Sequence, residues 1–226
     1  MKSKLTETLE KFAIVPNDIS LYEQAFTHAS YTNEHPESLS YDRLEYLGDS
    51  ILDMVIADFL FTAYPKANSG LLSKMRACLV EGKTLTEFSE KHFDFPSLVR
   101  YSVGESGNTK FHKKIHEDIF EAFIAACYLD QGYLFTRNLL WHIYAPLVQQ
   151  AYDKAQQSDS KSRLQELLSS NITYVKVSSS NLNSEDVQYV VEARVGSAVL
   201  GVGQGHNLKE AETNAASDAL KKKVGN

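Results

Sequence analysis

The 226-residue sequence holds only two cysteines, one tryptophan and five prolines. Cys78 and Cys127 both fall inside apolar helical patterns, which excludes a disulfide-stapled secreted scaffold. Buried free thiols and a reducing, cytoplasmic setting are expected instead. Nothing approaches the roughly 20 consecutive apolar residues that a membrane helix needs. Met1-Lys2-Ser3-Lys4-Leu5 has no apolar run behind its lysines, so neither a membrane partner nor an export signal is expected. A basic excess is missing too. The formal net charge is −6, which taken alone argues against a nucleic-acid partner. The imbalance is local: residues 1–157 carry 15 Lys+Arg against 21 Asp+Glu, whereas residues 158–226 carry 8 of each. With 43% hydrophobic residues the chain has material for one sizeable domain and a small one.

What is present centres on residues 41–52, Tyr-Asp-Arg-Leu-Glu-Tyr-Leu-Gly-Asp-Ser-Ile-Leu. At helical periodicity Leu44, Leu47, Ile51, Met54 and Val55 gather on one side. Glu45 and Asp49 stand one turn apart on the other, flanked by Asp42 and Asp53, with no Lys or Arg between Arg43 and Lys66. Like charges at this spacing destabilise a helix slightly. A solvated face would account for the stripe; so would half of a site for a hard divalent cation. A second stretch, His116 to Ala126, decides between them. Asp118 and Glu121 share one face, opposite Ile119, Phe120, Phe123, Ile124 and Cys127, and Ala122 and Ala125 beside them are small. Two such helices, the first with Gly48 at its small position, can meet with four carboxylates converging. Without a cation that cluster would raise its own pKa values; with one it can act on phosphate.

The rest of the chain frames these helices. A first helix is predicted over residues 2–12, a break at Pro16-Asn17-Asp18, and a helical run from Ser20 to Ser30 that includes Thr27-His28-Ala29-Ser30. His28 reads as a packed histidine more readily than as a ligand, since Mg²⁺ prefers oxygen. Tyr31 to Ser40 is expected as a loop, and the first acidic helix should end near Tyr64, before Pro65. Asn68-Ser69-Gly70 should turn into a helix from Leu71 to about Lys91, followed by an irregular stretch over 92–110. Lys110, Lys113 and Lys114 form a basic patch beside the second acidic helix, suited to an entering phosphate. A long helix is predicted from Leu134 to about Asp153, including Trp141. Lys154 to Ser160 has no large apolar residue and reads as a flexible linker. Then the pattern changes to a short helix over Lys161–Ser170, capped by Asp159 or Ser160. Tyr189, Val191, Ala193 and Val195 alternate, as does Val199–Val202, and Asn207 to Glu210 is a capping box opening a helix through Lys223.

Residues 42–52 resemble the signature block of ribonuclease III, residues 116–132 its second acidic block, and residues 161–226 a double-stranded-RNA-binding domain. Leu72-Ser73-Lys74-Met75-Arg76-Ala77, lying between the two blocks, adds to the likeness, which spans nearly the whole chain in the family's order. The resemblance implies an all-α nuclease domain over residues 1–153, a linker over 154–160, and a small α+β domain of α-β-β-β-α order over 161–226. It implies a homodimer that cleaves double-stranded RNA with Mg²⁺, or Mn²⁺ as a substitute, leaving 5′-phosphate and 3′-hydroxyl ends, in ribosomal and other precursor processing. Glu45, Asp49, Asp118 and Glu121 would hold the metal, with Asp49 and Glu121 catalytic. Tyr46 would contact the partner subunit. Arg76, Gln165, Glu166, Lys209 and Lys221 would contact RNA. Four positions depart from the family's pattern. Asp42 replaces a glutamate and Ser69 a frequent glutamate, the loop Ser178–Asp186 lacks Gly-Pro-x-His, and Leu208 replaces a frequent lysine. Asp42 keeps the charge at a shorter reach, Ser69 predicts weaker accessory metal binding or substrate positioning, and the last two departures predict a weaker grip on RNA. Two rivals are a duplex-RNA-binding protein that no longer cuts and a metal phosphohydrolase acting on small nucleotides.

Overall fold

The computed structural model describes residues 3–104, 112–169, 171–180 and 188–224. They divide into two compact units, with the boundary between Gln149 and Gln150. Among the described residues no helix is long and apolar enough to cross a membrane, and neither cysteine is in a disulfide.

The first unit is helical. It comprises α1 (Lys4–Lys11), α2 (Ile19–Ala25), α3 (Ala29–Glu34), α4 (Asp42–Ala63), α5 (Ser69–Leu79), α6 (Gly82–Glu87), α7 (His112–Gln131) and α8 (Tyr133–Tyr144). A π-type turn at Phe88–His92 and 3₁₀ turns at Phe95–Leu98 and Ala145–Leu147 complete it. At its centre lies α7, where Ala122 to Cys127 are all buried and Ile115, Ile119 and Phe120 are buried too. A helix that hides nearly its whole circumference must be surrounded. On one side an aromatic cluster packs against it, with Phe95 and Phe123 centroids 4.8 Å apart and Phe26 and Phe95 5.1 Å apart. On another side α4 crosses it at Gly48. A β-carbon built on Gly48 would lie 1.8 Å from the backbone carbonyl oxygen of Glu121, so only glycine permits this approach. The crossing sets Glu45 and Asp49 of one helix beside Asp118 and Glu121 of the other.

Several predicted boundaries differ. The run Ser20–Ser30 is interrupted because the main chain at Phe26–His28 pairs with Arg100, and His28 Nδ1 then accepts from Ser30 N (3.1 Å) to cap α3. Part of the expected loop 31–40 is therefore helical. The helix expected over 71–91 breaks at Val80–Glu81, just before Gly82, a poor helix former. The long helix expected over 134–153 is divided by Pro146, whose missing N–H leaves a 3₁₀ turn between α8 and α9 (Val148–Leu168). Continuous through residues 154–160, α9 corrects the reading of that stretch as a flexible linker and leaves no helix start at Asp159 or Ser160. Lys, Ala and Gln are strong helix formers, so a lack of apolar residues there marks a polar helix rather than a loop. Met54 is 50% exposed, because the buried arc of α4 is centred on Leu44, Gly48, Ile51, Leu52 and Val55.

The second unit contains most of α9, then β1 (Thr173–Ser180), β2 (Gln188–Val195), β3 (Ala198–Gly205) and α10 (Leu208–Val224). The sheet is antiparallel in the order β1-β2-β3, with Val191 opposite Lys176 and Gly203. Val191 and Ala193 are buried with Leu164, Ile172, Ala211, Ala215, Ala216 and Ala219, as the period-two alternation predicts. A β-carbon on Gly203 would come within 2.1 Å of Ala215 N, so β3 and α10 pack backbone to backbone. The capping box is shifted by one residue. Asn207 Oδ1 accepts from Glu210 N (2.9 Å), but the Glu210 carboxylate accepts from His206 N (2.8 Å) rather than from Asn207.

Candidate active site

The two acidic blocks meet. Glu45, Asp118 and Glu121 each place a carboxylate oxygen within 4.8 Å of the others. Asp49, one turn along α4, is exposed, and its charge still acts on both Glu45 and Glu121. Asp118 is only 7% exposed. Burial raises the carboxyl of Glu121 to about 8, with the charges of Asp49, Glu45, Asp118 and Glu117 adding to it. Burial, then the charge of Glu45, raises Asp118 to about 6, while Lys114 and a hydrogen bond from Tyr41 act in the opposite direction. Glu45 is raised as well, chiefly by burial and despite the charge of Lys114. Crowded carboxylates that retain protons toward neutral pH suit a small divalent cation, whose charge would relieve the repulsion and whose preferred ligands are carboxylate oxygens.

These shifts carry a consequence for stability. In the metal-free folded protein Glu121 keeps its proton to about pH 8, whereas in the unfolded chain it loses it near the ordinary glutamate value. The folded state therefore binds more protons between those limits, and stability falls as pH rises through that window. Calorimetry in EDTA should give a lower Tm at about pH 8.5 than at about pH 5.5. Glu121→Gln should flatten that slope, and an unchanged slope would remove Glu121 as its cause.

Two groups that the sequence pattern does not assign to the site act on it. Tyr41, 3% exposed, donates from its hydroxyl to Asp118 Oδ2 (3.3 Å). Burial and the neighbouring carboxylates push its phenol pKa upward, so it stays a donor. Glu117, next to Asp118, adds negative charge to both Asp118 and Glu121. Tyr41 is 77 positions from Asp118, and no periodicity links them. Glu117 adjoins the i, i+3 pair in sequence but does not share its spacing.

The remaining candidates lie elsewhere. Tyr46 is 80% exposed on α4. Arg76 pairs with Asp53 (3.7 Å) and lines a cleft of about 440 Å³ between α4 and α5, together with Phe61, Ser69 and Ser73. His28 caps α3 and is not among the clustered ligands. Gln165 and Glu166 are exposed on α9, and Lys209 and Lys221 are exposed near opposite ends of α10. Lys110 lies outside the described residues, as does most of the loop 178–186.

A family model described as Ribonuclease-III-like matches residues 18–147, and one described as Double-stranded RNA binding motif matches residues 160–223. Fold, acidic cluster and family matches together define a helical endonuclease domain followed by a duplex-RNA-binding domain. Proteins named Ribonuclease 3 are similar along almost all of the chain. The one from Streptococcus gordonii is 38% identical over 98% of this chain and 97% of its own, and the one from Lactobacillus acidophilus 36% over 96% of each. The solved nuclease domain of ribonuclease III from Campylobacter jejuni matches with a TM-score of 0.55 at 31% identity, covering 60% of this chain and 92% of its own. The chain belongs to the ribonuclease III family, whose members are metal-dependent endoribonucleases specific for double-stranded RNA.

Proposed function

We propose that this chain hydrolyses phosphodiester bonds of double-stranded RNA, using Mg²⁺ held by Glu45, Asp49, Asp118 and Glu121. The observation that carries this reading is the approach of Glu45, Asp118 and Glu121 to within 4.8 Å of one another at the α4–α7 crossing. Bound there, Mg²⁺ would activate water and neutralise charge developing on the phosphate oxygens. The protein's share is positional. Gly48 lets the two helices close and the buried faces of α7 fix Asp118 and Glu121, while exposed Asp49 lies outside the three-acid cluster and acts on Glu45 and Glu121 by its charge. Lys114, whose charge reaches Glu45 and Asp118, supports attraction of an RNA phosphate to the same place.

The wider reading includes a homodimer with Tyr46 at its interface, a cytoplasmic setting, and a role in ribosomal and other precursor RNA processing. Solvent exposure of Tyr46, with Met54 and Phe61 further along α4, supports the dimer. The Campylobacter jejuni nuclease domain is itself described as having a region involved in dimer formation. In the second unit Gln165 and Glu166 would face the minor groove and Lys209 and Lys221 the phosphates, reading duplex shape rather than sequence.

Incubating the purified protein with a long RNA duplex tests the activity. Short duplexes with 5′-phosphate ends should form in Mg²⁺ and none in EDTA, whereas protection without cutting in Mg²⁺ would point to a binding protein. Turnover of a mononucleotide with no action on duplex would point to a small-nucleotide hydrolase. Lys209→Ala should weaken duplex binding and lower the slope of log affinity against log salt by about 1. An unchanged slope would take Lys209 off the phosphates.

A further inference from the structure

We infer that Tyr41 is a positioning residue of the acidic pocket, its hydroxyl fixing the rotation of the Asp118 carboxylate against Glu45 and Glu121 through the 3.3 Å bond to Oδ2. The inference rests on the reading of these three carboxylates as metal ligands.

The final torsion of an aspartate is broad and offers little resistance to rotation. Asp118 lies in a packed environment, so the group that bonds one of its oxygens decides where the other can point. Tyr41 can do this only if it is itself held, and the structure holds it from several directions. Its backbone N–H donates to Thr27 O (2.9 Å), and its carbonyl accepts from Leu44 N (2.8 Å) and Glu45 N (2.9 Å). Gln24 Nε2 donates to the carbonyl of the preceding residue, Ser40 (3.0 Å). The His28 ring lies 5.8 Å from the Tyr41 ring. Thr27 in turn is fixed by Arg100, whose Nη2 donates to Thr27 Oγ1 (2.7 Å). The segment Thr27–Ser30 thereby serves to mount Tyr41. One residue then supports both acidic helices. Its carbonyl opens the turn that carries Glu45, and its side chain orients Asp118 on α7.

Groups that orient metal ligands through hydrogen bonds commonly change metal affinity by about 10-fold or more when removed. The test is a direct Mn²⁺ titration, followed by electron paramagnetic resonance, on the full-length wild type, Tyr41→Phe and Tyr41→Asn. Phe keeps the ring, Asn keeps a side chain suited to a helix start, and neither can donate to Asp118 as the phenol does. Far-UV circular dichroism checks folding, and if one variant loses helix the other decides the matter. The Mn²⁺ dissociation constant should rise about 10-fold in each folded variant, with cleavage recovering at saturating Mg²⁺. Wild-type Mn²⁺ affinity in a folded variant overturns the role of Tyr41, as does a rate loss equal at every Mg²⁺ concentration. If the wild type itself binds no Mn²⁺, the metal reading of the pocket falls with it.

Discussion

Glu121→Gln should leave duplex binding close to wild type while cleavage falls by at least about 10³, the rate equivalent of roughly 4 kcal/mol of lost transition-state stabilisation. The substitution is nearly isosteric and removes no packing, so the fold gives no reason for binding to change. What it removes is one of three carboxylate oxygens that meet within 4.8 Å. Burial and four neighbouring acids already hold this group's pKa near 8, so in the metal-free protein glutamine resembles the protonated glutamate. The effect should therefore appear when a divalent cation is needed and be small in its absence. A gel-shift assay in Ca²⁺ or EDTA measures binding, and single-turnover cleavage in Mg²⁺ measures chemistry. Near-wild-type cleavage by Glu121→Gln would remove Glu121 from the site.

Gly48→Ala should be the most damaging single methyl in the first unit. The added carbon would lie 1.8 Å from Glu121 O and 2.5 Å from Glu121 C, both backbone atoms that no rotamer change can clear. The helices must part, and forcing extra volume into a packed contact costs about 1–3 kcal/mol, occasionally more. For a protein of this size that corresponds to a fall in Tm of about 2–12 °C. The same separation pulls Glu45 and Asp49 from Asp118 and Glu121, so cleavage should be lost even in the fraction that remains folded. Gly70→Ala is the control. Its β-carbon would meet nothing closer than Asn68 Oδ1 at 3.5 Å, and alanine suits a helix better than glycine. Equal Tm and activity for Gly48→Ala and wild type would mean that the α4–α7 contact is not as close as described.

The two acidic helices were legible in the sequence because their chemistry is local. Glu45 with Asp49 and Asp118 with Glu121 share a helix face by spacing alone, and Gly48 marks a point of close approach. Strands β2 and β3 and the final helix of the second unit are legible for the same reason, since Val191 and Ala193 alternate with less buried neighbours and Asn207 caps a helix. What escaped depends on distant partners or on competition between signals. The break at Phe26–His28 comes from pairing with Arg100. Pro146 breaks a run whose apolar pattern reads as one helix, and Lys154–Ser160 reads as a linker because that part of α9 carries no large apolar residue. Tyr41 stood at the head of the signature stretch, yet only the folded chain shows its hydroxyl on Asp118.

The most direct test of the metal site is an anomalous-scattering experiment on crystals of the full-length protein soaked in Mn²⁺. One strong anomalous peak should lie between Glu45, Asp118 and Glu121, bordered by Asp49, and it should vanish in crystals of Glu121→Gln. A pocket that stays empty at millimolar Mn²⁺, or a peak bound only by residues outside α4 and α7, would contradict it.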